Sequence, residues 1–381
     1  KGESMDFALS EQQEMLRNTA RDFLAKECPK SLVREMEQDE KGYSPELWKK
    51  MADLGWMGLV FPEAYGGSGL SSLDFTILLE EMGRALVPGP FLSTVVCGGL
   101  TILRWGSEEQ KRELLPKIAK GELILSLALT EASASYDAAD ITVRAVPEGD
   151  DYVISGTKLF AADAQVADYL LCVTRTKDGD DRQKGITLFL VDAKSPGISC
   201  ALLKTFTADK QCEVVFDKVR VPKSNVLGEL DRGWEIVEDI TEQAAFALCP
   251  WMVGGAQQVL EMSTNYAKER VQFDRPIGSF QAIQHKCADM ATDVAGARDI
   301  TYQTAWKLSE GLPCKKDVSI AKAWTCEVYR KACVEGVQIH GGIGITQDHD
   351  MQLYYRRAKA MEIAFGDADY HLELVAREMG L

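Results

Sequence analysis

The chain has 381 residues, more than one compact core usually holds, so two or three subdomains are expected. Apolar residues make up 46%, which is ordinary for a globular protein, and the formal net charge is −15. That acidity excludes a nucleic-acid or anionic-membrane surface, and it leaves room for an anionic small molecule only where basic side chains gather locally.

Taken in chain order, Lys1–Ser4 ahead of Met5 reads as a tag remnant with no signal peptide after it. No apolar run reaches the ~20 residues of a membrane helix. Ser10 and Gln13 fit a capping box, and Leu16, Ala20, Phe23 and Leu24 follow at helical spacing. Ser44 and Pro45 open a second helix whose apolar face is Leu47, Met51 and Leu54, with Gly55 as its stop. Pro62–Ser71 reads as a loop, and helical pattern resumes at Asp74–Ala85 and Glu108–Ala119.

Near Leu125 the texture changes to short β-type runs: Tyr152–Ile154, Tyr169–Thr174, Ile186–Val191, Cys212–Phe216 and Val219–Val221. From Gly233 long helical segments return. Ile283, Cys287, Met290, Val294 and Ala297 form a 4-3-4-3 packing seam, and breaks fall at 275–278, 311–313 and 340–350. The fold class is mainly α with a central β domain, divided at 1–124, 125–231 and 232–381. Ten cysteines without a Cys-x-x-Cys pair, beside only four histidines, read as buried reduced thiols of a cytoplasmic protein rather than a metal site.

No single motif decides the chemistry. Gly341-Gly342-Ile343-Gly344 is glycine-rich but follows no strand, so it is not a dinucleotide fingerprint of the strand–turn–helix kind. Arg270 near Phe273, read alone, is an ordinary surface arginine. Together, however, MDFALSEQQ, LGWMGLVFPEAYGGSGLSSLDFTILLEEMG, ALTE (128–131), GTKLF (156–160), YAKERVQFDRPIGSFQAIQHKCADM (266–290) and QIHGGIGIT (338–346) stand in the order found in acyl-CoA dehydrogenases. The chain resembles that family along nearly its whole length.

The resemblance implies an N-terminal helical domain, a β-barrel-like middle and a C-terminal four-helix bundle, with FAD held between subunits of a tetramer. It gives FAD contacts to Leu129, Thr130, Ser135, Phe160 and Ala162, and to Arg270, Phe273, Gln281, Gln338, Gly341 and Gly342. Thr130 would hydrogen-bond the flavin's pyrimidine edge, and Arg270 would pair with the pyrophosphate of a neighbouring subunit's cofactor. Phe160 stands where the family has Trp, Tyr136 where it has Ser, and Ala162 where it has Thr. Phe91 and Leu92, in Pro88–Cys97, would line the acyl pocket together with Phe365. The substrate would be an acyl-CoA and the electron acceptor an electron-transfer flavoprotein. Arg356, Arg357 and Lys359 are the densest basic cluster for a CoA tail, though a solvated helix face explains them better.

Family chemistry removes the proton α to a thioester with a carboxylate and passes a hydride from the β carbon to flavin N5. The family keeps that carboxylate in a terminal YEG-type motif or on the helix opening the bundle. Here those positions read Phe365, within Ala364-Phe365-Gly366, and Ala244 beside Ala245. Asp367 is the nearest replacement in sequence, about 200° of helical rotation from position 365; Glu242 and Asp163 are the others. Three readings follow: a dehydrogenase with a displaced base acting on an unusual acyl group, cyclic ones included; a base-deficient subunit of a heteromeric enzyme, completing an FAD site or pocket for a catalytic partner; or a flavin-binding protein with another redox role. The resemblance leaves a homotetramer and a heterotetramer both open.

Overall fold

Side-chain caps fix where the first helices begin. Ser10 and Gln13 form the expected reciprocal capping box on α1 (Glu11–Glu27). After α2 (Lys30–Gln38), Ser44 caps α3 (Pro45–Asp53), whose Leu47 and Met51 are buried. Leu54 is a correction: the helix ends at Asp53, and Leu54 faces solvent as the C-cap residue instead of extending the apolar face. Gly55, at φ 78°, supplies the left-handed stop. The structure, a computed structural model, describes residues 8–381, so the tag reading and Met5–Phe7 lie outside the described residues.

The remaining helices are α4 (Ser72–Ala85), α5 (Thr101–Trp105), α6 (Glu108–Ala119), α7 (Trp234–Glu269), α8 (Gln281–Ser309), α9 (Lys315–His340), α10 (Met351–Ile363) and α11 (Ala368–Glu378). Leu92–Leu100, which overlaps the expected pocket segment, is a π-helix, a rare form found frequently at functional sites.

The chain forms two compact units. The first gathers the chain up to Val33, Ser71–Val87 and Ala245–Leu381. In it α9 packs on α8, α10 and α11, and α4 packs on α1 and α8. Two buried glutamates pin α4: Arg21 donates to both oxygens of Glu81 at 3.0 and 2.6 Å, and Arg298 donates twice to Glu80 at 3.0 and 2.9 Å. The α8 seam is buried at Met290, Val294 and Ala297, but Ile283 and Cys287 stay half-exposed toward its start.

The second unit holds Arg34–Leu70 and Pro88–Ala244. Its eight-stranded sheet comprises β1 (Leu125–Ala128), β2 (Arg144–Glu148), β3 (Asp151–Ala162), β4 (Tyr169–Arg175), β5 (Ile186–Asp192), β6 (Ile198–Leu202), β7 (Gln211–Pro222) and β8 (Val226–Leu227). The order is β6-β7-β3-β2-β4-β5-β8, with β1 parallel to β4. The expected runs 212–216 and 219–221 are one strand. Ile154 pairs Val219 and Gly156 pairs Phe216, so Asp217 and Lys218 form a bulge that bends β7 without ending it. Strands β1, β2, β6 and the two-residue β8 escape the sequence reading; β2 buries only Ala145, and β6 is an exposed edge without strong alternation.

Candidate cofactor-binding and catalytic residues

In the second unit, the segment after β1 is held by a buried ion pair. Lys158, with no exposed surface, donates to Glu131 Oε1 at 2.6 Å and to the Leu129 carbonyl at 2.9 Å. The Thr142 hydroxyl and the amides of Thr142 and Val143 complete the Glu131 carboxylate. Burial pushes that carboxyl up, but Lys158 and Thr142 outweigh it and hold the group below its usual value. The Leu159 amide donates to the Thr130 carbonyl at 2.8 Å, so Leu129–Glu131 is fastened to β3 from both sides.

The β3–β7 register breaks between Lys158 and Ala161, which puts Phe160 outside the ladder. Phe160 has φ 56° and remains half exposed, its ring presented rather than packed. Thr130 is half-buried, and its hydroxyl has no partner among the described residues. Ser135 is exposed and accepts from the Asp137 amide at 3.0 Å; the Ala162 carbonyl accepts from Ser126 at 2.6 Å. Phe91, just before the π-helix, is covered almost completely, so only half-buried Leu92 of that pair offers surface. Asp163 accepts from the Ser93 hydroxyl at 2.6 Å.

In the first unit, the other expected cofactor residues gather at one end of the bundle. Arg270 directly follows α7, Gln281 opens α8, and Gln338 lies in the last turn of α9. Tyr266 of α7 stacks on His340 at 4.5 Å, which brings these helix ends together. Arg270, Gln281 and Gln338 are exposed, and their side chains make no hydrogen bond or ion pair among the described residues. Phe273, at φ 54°, is 84% exposed and meets Phe280 edge-on. Gly341 needs its φ of 64°. Gly342 does not need positive φ, and a Cβ there would meet nothing within 4 Å. The backbone at Gly342 is therefore open to close approach from outside the chain. The open glycine, the unpartnered guanidinium and the two free amides fit a dinucleotide.

Phe365, one of the two usual base positions, lies in this same unit, packed against the cluster that holds Ala245, the neighbour of the other. Ala245 belongs to a buried cluster with Phe246, Ala305, Cys314 and Val318; Phe365, Leu73 and Leu308 pack against it. A phenyl ring and a methyl group therefore occupy what the resemblance makes the base region. Asp367 is exposed and caps α11, its Oδ1 accepting the Tyr370 amide at 2.9 Å. Glu242 is half-buried on α7. Lys359 pairs with Glu362 and Arg356 donates to Gln352, so the basic cluster is largely bonded along its own helix.

Two residues to which the sequence reading gives no role hold the 365 loop. His371 Nε2 donates to the Phe365 carbonyl at 2.9 Å, and Lys322 Nζ donates to the Gly366 carbonyl at 2.8 Å. Burial brings the His371 pKa down to about 4, so the ring is neutral at pH 7.

Comparison with known proteins bears on the family and the fold. The acyl-CoA dehydrogenase N-terminal domain matches residues 10–122, the middle domain residues 126–219 and the C-terminal domain residues 231–380. The chain is 34% identical to the caffeyl-CoA reductase–Etf complex subunit CarC of Acetobacterium woodii, across 94% of this chain and 95% of that one. It superposes on butyryl-CoA dehydrogenase of Megasphaera elsdenii with a TM-score of 0.92 at 30% identity, covering 99% and 100% of the two chains. For a chain of the ChsE4–ChsE5 complex of Mycobacterium tuberculosis the TM-score is 0.88 at 29% identity, with 99% of each chain covered. Three domain matches in sequence order and close structural agreement over nearly the whole length place this chain in the acyl-CoA dehydrogenase family.

Proposed function

We propose that this chain binds FAD and acts on a CoA thioester as the base-deficient member of a heterotetrameric acyl-CoA dehydrogenase, a homologous partner chain supplying the proton-accepting carboxylate. The observation that carries the reading is the packing of Phe365 against the Ala245 cluster. Proton removal beside a thioester needs a carboxylate within hydrogen-bond reach, and neither a phenyl ring nor a methyl group accepts a proton. Asp367 is engaged in a helix cap and Asp163 with Ser93, which leaves both poorly suited to the task.

FAD, when bound, supplies the hydride acceptor. Thr130, Leu129, Ser135, Phe160 and Ala162 are the contacts we assign to it in the second unit. Arg270, Phe273, Gln281, Gln338, Gly341 and Gly342 are the contacts we assign in the first, toward a cofactor shared with a neighbouring chain. The unpartnered Arg270 guanidinium supports a pyrophosphate contact. The three-domain division at 1–124, 125–231 and 232–381 belongs to the same reading. An electron-transfer flavoprotein is the electron acceptor we infer, as suggested by the caffeyl-CoA reductase–Etf complex of Acetobacterium, and the ChsE4–ChsE5 complex of Mycobacterium offers a two-chain precedent. The acyl group is an unusual one, with cyclic groups in scope, and the ten unbridged cysteines suit the cytoplasm.

Anaerobic addition of butyryl-, octanoyl- and cyclohexanoyl-CoA to the flavin-loaded chain, alone and co-expressed with a homologue bearing the usual glutamate, tests this. The flavin absorbance is expected to bleach only in the mixed complex. Equally fast bleaching by the chain alone would show that it carries a displaced base, with Asp367 the first candidate to mutate.

A further inference from the structure

The turn between α10 and α11 carries position 365 on a strained backbone. Phe365 has φ 55° and Gly366 φ 96°. A phenylalanine in the left-handed region costs roughly 1 kcal/mol or more and persists only where its surroundings impose it. Two buried donors on other parts of the chain do so. Lys322, from the middle of α9, has no exposed surface, and among the described residues no carboxylate bonds its ammonium. It donates to the Gly366 carbonyl at 2.8 Å, the Met361 carbonyl at 3.1 Å and the Glu362 carbonyl at 3.3 Å, and lies 3.2 Å from Cys326 Sγ. Its charge thus sits on the last carbonyls of α10, where the helix dipole favours a cation. His371, 2% exposed, donates from Nε2 to the Phe365 carbonyl at 2.9 Å. A carbonyl only accepts, so Nε2 carries the proton, and Nδ1 faces the Ser319 hydroxyl at 3.4 Å.

A surface turn has no need of a buried ammonium and a buried imidazole. Burying Lys322 against dipoles alone is costly, and the return is a fixed direction for one side chain. With both carbonyls of Phe365-Gly366 drawn inward, the residue-365 side chain is turned toward the Ala245 cluster, where the phenyl ring packs. We infer that Lys322 and His371 are positioning residues for chain position 365: they hold the backbone mount of the missing base in working geometry, whatever side chain that position bears. The mount survives here although its carboxylate is gone.

Two arms test this, and only the second rests on the proposed function. In the first, ¹⁵N NMR of the unmodified full-length protein should show His371 as the Nε2–H tautomer, and 4-fluorophenylalanine at position 365 should give one narrow ¹⁹F resonance. His371→Gln keeps a donor near Nε2 and should preserve that resonance; His371→Leu and Lys322→Met should shift and broaden it. An Nδ1–H tautomer, or a fluorine signal indifferent to both donor-deleting variants, would overturn the inference; the tautomer stands as a check even if a variant fails to fold. In the second arm, Phe365→Glu should gain flavin reduction with butyryl-CoA. Adding His371→Leu should lower that gain about a hundredfold, the cost of roughly 1 Å of misplacement, while adding His371→Gln should retain most of it. Equal rates in the Leu and Gln double variants would overturn the positioning role. If Phe365→Glu gains nothing, the proposed function fails while the first arm still judges the mount.

Discussion

Removing either partner of the Lys158–Glu131 pair leaves a charge in the second unit with no water to solvate it. Lys158→Met and Glu131→Gln should each cost about 3–5 kcal/mol of unfolding free energy, measured by chemical denaturation, whereas exposed pairs such as Lys49–Asp53 should contribute little. His371 gives a pH signature. An ordinary imidazole titrates at 6.5, the buried one at about 4, so between those values the unfolded chain binds more protons than the folded one. The His371 contribution is complete above pH 6.5 and is lost as pH falls toward 4, a span worth on the order of 3 kcal/mol. Thermal melting from pH 7 to pH 4.5 should therefore fall more steeply for the natural chain than for His371→Gln; parallel curves would remove the effect. The residues that declare themselves in sequence are those in ordered motifs: the empty base positions Phe365 and Ala244 are legible because their neighbours are familiar. Lys322 and His371 are not. Their partners are backbone carbonyls, 39 and 44 residues from Lys322 for Met361 and Gly366, and no spacing rule connects a lysine to a carbonyl.

Among the elements, helices announced by a cap and a period were legible from sequence, as α1, α3 and α6 show, and their ends followed glycine or the cap residue. Strands were legible only where an apolar run was continuous. β4 and β5 are buried nearly end to end, whereas β2 and β6 present mostly exposed residues and carry no pattern to read. The bulge at 217–218 hid the continuity of β7 because its left-handed Lys218 looks like a turn. At the bundle end, Gly342→Ala meets no clash within the chain, so its stability should stay within about 0.5 kcal/mol of the natural protein. Its FAD content after gel filtration should nevertheless fall, as should that of Arg270→Ala. Full retention of FAD by both variants would contradict the cofactor assignment at that end.

For the whole molecule, the order of helices, sheet and long helices was readable because each period spans many residues. Assembly was not, because the evidence for it lies in surfaces left uncovered. Val271, Phe273, Ile343 and Ile345 are all more than 45% exposed at the end of the bundle where Arg270 and Gly342 lie, and the α8 seam emerges half-covered at Ile283. Such surfaces suit a neighbouring chain. Multi-angle light scattering should give four chains per particle, with FAD loss accompanying dissociation; a monomer holding stoichiometric FAD would argue against a shared cofactor. The base is tested most directly by proton exchange at the substrate's α carbon, followed by ¹H NMR of butyryl- and cyclohexanoyl-CoA in D₂O with the flavin-loaded chain alone. The natural chain should exchange no faster than buffer and Phe365→Glu markedly faster; rapid exchange by the natural chain alone would contradict the absence of a working base.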